Sequence, residues 1–168
     1  MHNYPTVFCD AFLTEIKRRL FEECLPRTRQ CLQQLNEDQI WYRPNANSNS
    51  VGNIVLHLCG NVRQWIGAGL GGQADIRERD QEFAEKGPIP RAILLAKLDN
   101  LEKEVQQVLA AVRPEDLLRK REVQIYEESG LSILVHVVEH FSYHVGQLTY
   151  IVKMLNDVDT GYYAGQDL

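Results

Sequence analysis

The stretch Leu131-Ser-Ile-Leu-Val-His-Val-Val-Glu-His-Phe-Ser-Tyr-His-Val-Gly-Gln-Leu-Thr-Tyr-Ile-Val-Lys-Met-Leu155 decides the fold of this chain. Its Val and Ile content favours strands. About 25 residues without a proline is far longer than an ordinary strand, however, so length makes the segment a helix. Glu139 is the only formally charged residue between Leu131 and Val152. Apolar residues fall on nearly every side, which predicts the most buried helix of the molecule. Within it His136, His140 and His144 recur every four residues. Successive rings are offset by only about 40° around the axis, so they form one row on a helix that otherwise reads as core.

Working outward, Ser129-Gly130 precedes this helix, and a short extended piece is expected at Val123 to Tyr126. Further upstream a helix from about Arg91 to Val112 carries Ile93, Leu94, Leu98, Leu101, Val105, Val108 and Leu109 at helical spacing, with Pro114 ending it. Residues 73–89 are a charged, irregular connection closing on Gly87-Pro88. Before it, Ser50 is a natural N-cap for a helix that runs to about Leu70 and stops at Gly71-Gly72. A loop at Trp41-Tyr42-Arg43-Pro44 separates that helix from a first one, Thr6 to Leu35, with a stripe through Cys9, Leu13, Ile16, Leu20 and Cys24. Pro26 should kink or restart it. Four long helices without a strand-turn rhythm predict an all-α chain, a four-helix bundle forming a single domain over residues 1–168. The long connection between the second and third helices lets these lie parallel, an up-down-down-up arrangement.

Composition narrows the partners. The 168 residues are 44% hydrophobic and 24% charged, with a net charge of −5, the balance of a soluble globule. The basic runs Lys17-Arg18-Arg19 and Arg119-Lys120-Arg121 have acidic neighbours and read as solvated faces, so no nucleic-acid partner is expected. No apolar run is long enough to span a membrane, and the N-terminus lacks a signal-peptide core, which predicts a cytoplasmic protein. Cys9, Cys24, Cys31 and Cys59 are spaced too irregularly for a CxxC site and are expected as reduced, buried thiols. A homodimer through an apolar bundle face is also expected.

Two imidazoles four residues apart on a helix can grip one metal ion. His57, inside Ile54-Val55-Leu56-His57-Leu58, adds another imidazole in an apolar setting. A hydrogen-bonded structural histidine is the competing reading for each, and spacing alone leaves the choice among His136, His140 and His144 open. In the second helix Asn53, His57, Asn61 and Gln64 form a polar row beside the apolar row Ile54, Leu58, Val62 and Trp65, which suits the wall of a pocket.

The segments Val55-Leu56-His57-Leu58-Cys59-Gly60-Asn61-Val62-Arg63-Gln64-Trp65 and Glu139-His140-Phe141-Ser142-Tyr143-His144-Val145-Gly146-Gln147-Leu148 resemble the DinB superfamily of DinB/YfiT-like metalloenzymes. The similarity runs from about residue 10 to residue 155, and Arg77-Glu78-Arg79-Asp80 resembles one uncharacterised branch. The resemblance implies an up-down-down-up four-helix bundle with His57, His140 and His144 as ligands of a divalent ion; imidazole suits zinc, nickel, copper and iron alike, and zinc or nickel is the expected metal. His136 then lies beside the ligands rather than among them. Many relatives carry a further histidine directly before the second ligand of HxxxH, where this chain has Tyr143, so its pocket differs in polarity. Asn61 and Gln147 are candidates to orient substrate or metal-bound water, Tyr143 to donate a proton, and Glu139 either to accept from a ligand's N–H or to sit at the rim or a dimer contact.

Three neutral imidazoles leave the ion's charge uncompensated and a coordination position open. Such a site can activate water for attack on a carbonyl or phosphoryl group, or lower a thiol's pKa so that its thiolate attacks an electrophile. The resemblance favours the second, a transferase or isomerase using a low-molecular-weight thiol on a small-molecule substrate. A hydrolase and a non-catalytic binding module are the alternatives.

Overall fold

The computed structural model describes residues 4–165 and residue 167. The first helical segment comprises α1 (Tyr4–Lys17), a π-helical stretch (Arg18–Cys24) and α2 (Leu25–Gln33). It neither breaks nor restarts at Pro26, which lies in the first turn of α2. The wider turn before it, in which Leu25 N–H donates to the carbonyl of Leu20, absorbs the missing proline donor and the crowding of its ring. A short helix, α3 (Glu37–Trp41), precedes the expected loop, shares Trp41 with it, and is opened by a reciprocal cap between Asn36 and Gln39.

The second long segment is α4 (Val51–Val62) followed by a π-helical stretch (Arg63–Leu70). Ser50 caps it as expected: its side chain accepts from the Asn53 backbone N–H, while the Asn53 side chain accepts from the Ser50 backbone. It stops at Gly71-Gly72, where Gly72 takes a positive φ of 69°. The connection then forms α5 (Arg79–Ala84) and leads into α6 (Arg91–Ala111). Pro114 does not merely end α6; it opens the short α7 (Pro114–Leu118).

Two strands, β1 (Lys120–Val123) and β2 (Tyr126–Ser129), pair antiparallel in a hairpin. The all-α expectation thus holds for most of the chain but not here. Of the residues expected as an extended piece, Val123 and Tyr126 lie in the strands, while Gln124 and Ile125 form the turn between them, Gln124 at a φ of 57°. The final helix, α8 (Gly130–Asn156), is capped by Ser129, which accepts from the Ser132 backbone N–H.

Leu32, Ile40, Val51, Val55, Leu58, Ile66, Leu94, Leu98, Ile133, Leu134, Val137, Leu148 and Val152 are fully buried and join all four long segments in one core. The most buried helix is α4 and not α8. In α4 only Leu56 and Gly60 escape full burial. Val135, Tyr143, Tyr150 and Met154 of α8 instead face outward, because the apolar excess of that helix exceeds what its neighbours can cover. No helix among the described residues is long and apolar enough to cross a membrane.

Candidate metal centre

His57 of α4 meets His140 and His144 of α8, with one ring nitrogen from each lying within 4.8 Å of the others. His57 Nε2 and His140 Nε2 are 3.1 Å apart. Eight residues further along the same segment, in its π-helical stretch, Trp65 stacks on His136 of α8 with centroids 3.8 Å apart. The chain therefore runs in opposite directions along this contact, and the histidine row of α8 lies along the His57 face.

The outer nitrogens are held by acceptors. His57 Nδ1 lies 3.0 Å from Glu82 Oε2, and His144 Nδ1 lies 2.7 Å from Gln147 Oε1. An amide oxygen only accepts, so His144 Nδ1 carries its proton and its Nε2 presents a lone pair; at His57 the Glu82 carboxylate favours the same tautomer, while Arg77 Nη2, which only donates, also lies 3.1 Å from Nδ1. His140 is the third ring, and its buried Nδ1 has no partner. Without an ion His140 Nε2–H can donate to His57 Nε2; with that proton on His140 Nδ1 instead, the inner nitrogens offer lone pairs towards one point, the arrangement a cation binds. Ligands about 2.0–2.1 Å from a tetrahedral zinc lie roughly 3.3 Å apart. The His57–His140 pair meets that spacing, and the residues fit a divalent ion once His144 closes slightly.

Glu82 was absent from the sequence expectations, yet it is the most elaborately positioned residue of the centre. Arg77 grips it with both arms, Nε to Oε1 at 2.7 Å and Nη2 to Oε2 at 2.9 Å. Burial pushes the Glu82 carboxyl upward, but hydrogen bonds from Arg77 and His57 outweigh it and hold the group below its ordinary range. Asn53 Nδ2 donates to the backbone carbonyls of Glu82 and Glu85, and Arg43 donates to those of Phe83 and Glu85. Asn53, expected on the pocket wall, is thus the peg that fixes the connection. Gly60 completes the arrangement, since a Cβ there would collide with Glu82 Oε1. A carboxylate inside a charged run gives no sequence signal of burial. Phe83, packed 4.8 Å from the His57 ring, is the one hint that a face of this connection turns inward.

The three imidazoles of α8 stay neutral at neutral pH. Burial, with the adjacent His144, His57 and His136 rings and Arg77, pulls His140 down to about 3. Burial likewise lowers His144, against a raising hydrogen bond to Gln147, and lowers His136. Neutral imidazole is the form that binds metal.

A cavity of about 350 Å3 opens onto His57 and His140, with Asn61, Trp65, Arg77, Arg79, Tyr126 and His136 among its walls. A larger one of about 570 Å3 lies on the other side of Arg77 and Glu82, with no histidine in its lining. The smaller cavity is the relevant one because it reaches the ring nitrogens.

Over residues 8–162 the sequence matches the family described as protein of unknown function (DUF1572). The chain belongs to this family. The crystal structure of a DinB-like protein, YjoA of Bacillus subtilis, shares its fold with a TM-score of 0.65. It is 16% identical, with 89% of this chain and 94% of that one covered, so the likeness is one of fold. No curated protein matches the sequence.

For this DUF1572 chain the four sequence candidates outside the triad separate cleanly. Asn61 and His136 line the cavity. Gln147 instead orients His144, and Tyr143 is exposed, packed edge-on against the His144 ring at 5.1 Å and outside the cavity lining. Glu139 is exposed. Gln64, expected beside Asn61, turns away to bond Arg77 and Asp75, and Trp65 takes its place.

Proposed function

We propose that this DUF1572 protein is a divalent-metal-dependent enzyme, with zinc or nickel held by His57, His140 and His144, that transfers or isomerises with a low-molecular-weight thiol. The observation that supports it is the convergence of three ring nitrogens within 4.8 Å, two of them backed by fixed acceptors. We read the long helical segments as an up-down-down-up bundle that keeps this triad rigid. When bound, the ion would lower the pKa of a thiol sharing the site and stabilise its thiolate. Glu82 and Gln147 hold the His57 and His144 rings in the metal-binding tautomer. Asn61 and Trp65 line the space where a substrate would lie.

The reacting thiol comes from solution. All four cysteines are free and buried, and burial pushes Cys24 up to about 11 and Cys59 up to about 12, so neither ionises at neutral pH. Free thiols also favour a cytoplasmic setting. The exposed Tyr4 and Phe8 of α1 favour a homodimer, which sedimentation would test.

Purified protein should contain close to one equivalent of metal by elemental analysis, and the His57→Ala variant should contain almost none. Metal-loaded protein incubated with a thiol and a generic electrophile should turn over, and His144→Ala should abolish it. Turnover of esters without added thiol would replace this reading with a hydrolase. Saturable binding without turnover would replace it with a binding module.

A further inference from the structure

The cavity beside the histidines has an unusual lining. Asn61 Oδ1, Trp65 Nε1, His136 Nε2 and His140 Nδ1 are all buried there without a hydrogen-bond partner. Asn61 and Trp65 are 4% and 3% exposed, so bulk water does not serve them. Buried polar groups normally find partners, and a cluster of orphans on one cavity wall marks a place built for something else. Trp65 Nε1 can only donate and asks for an acceptor, whereas Asn61 Oδ1 asks for a donor.

The cavity also carries charged side chains, of which Arg79 is exposed and Glu128 half-buried. Arg77 is committed to Glu82. Arg79 lies over the Phe83 ring at 5.0 Å and makes no ion pair among the described residues. Glu128, supplied by β2, accepts from the Ser132 hydroxyl and is likewise without a cationic partner among them. One free cation and one free anion therefore line a space of about 350 Å3 without pairing with each other.

We propose that this cavity binds a small zwitterion of the amino-acid or dipeptide class. Its carboxylate is met by Arg79 and Trp65 N–H, and its ammonium by Glu128 and Asn61 Oδ1. This specifies the ligand of the site described above and rests on that reading for its link to the metal; the binding itself needs no ion.

The test is calorimetric titration with glycyl-L-alanine, its N-acetyl form and its C-terminal amide. The free dipeptide should bind on the order of tenfold more tightly than either blocked form, the loss expected when one charged hydrogen-bonding group is removed. Arg79→Ala should abolish the advantage over the amide, and Glu128→Gln the advantage over the N-acetyl form. Trp65→Phe, which keeps the ring and removes the N–H, should weaken the dipeptide and spare the amide. Equal affinity for the three peptides in metal-loaded protein overturns this inference and leaves the metal reading standing. Discrimination preserved in His57→Ala protein without metal upholds it whatever becomes of the metal reading.

Discussion

At the scale of single residues, the His57–Glu82 contact carries the firmest expectation. Glu82→Gln keeps the shape but removes the charge that polarises His57. Metal affinity should fall about 10–100-fold in a competition titration with a chelator, the usual effect of losing such a partner. An unchanged affinity would show that Glu82 serves folding alone. The triad itself was readable because histidines in apolar helices are conspicuous and a four-residue period puts them on one face. What spacing could not do was choose among His136, His140 and His144. The choice follows from the stacking of His136 on Trp65, which takes it out of reach of His57. Glu82 stayed hidden because a carboxylate in a polar connection looks the same whether solvated or buried.

Among the elements, the π-helical stretch Arg63–Leu70 explains why Trp65 and Gln64 exchange roles. An α-helical count carries the polar row from His57 and Asn61 to Gln64. A π turn holds an extra residue and shifts the row by one, so Trp65 lines the cavity instead. Local sequence carries little sign of such a turn, whereas the caps at Ser50 and Gly71-Gly72 depend on short-range chemistry and were legible. The hairpin was half legible for the same reason: its extended character shows, but its turn rests on Gln124 adopting a φ that gives no signal in the residue type. Gly60 gives the test at this scale. Alanine is the better helix former by about 1 kcal/mol, yet its methyl would displace Glu82 from α4. Gly60→Ala should leave the urea midpoint level or slightly raised while metal affinity drops roughly tenfold or more. Loss of both together would mean that the clash spreads into the core.

Across the whole molecule, long periodic segments make the helices and the core predictable, while the order in which they pack depends on contacts that no single segment encodes. Leu134 is fully buried where these segments meet, so Leu134→Ala should cost about 2–5 kcal/mol. In a chain of 168 residues each kcal/mol lowers the Tm by about 2–4 °C. Acid should act on the same balance. In the folded protein His140 is held at about 3, so below its unfolded value of about 6.5 the unfolded chain takes up a proton that the native one refuses. Glu82 has a lowered pKa and adds stability above its unfolded value that is lost on further acidification. The urea midpoint of metal-free protein should thus fall steadily as pH drops from 6.5 to 3; a flat profile would show that the buried rings are hydrated. One arrangement has a wider consequence. The carboxylate behind His57 is delivered by a surface connection, whereas the triad is delivered by the core. Substitutions at the Arg77–Glu82 clamp can therefore alter how strongly the ring donates electrons to its ion without repacking the interior. Reactivity and foldability are in that sense inherited separately, and the first is free to drift.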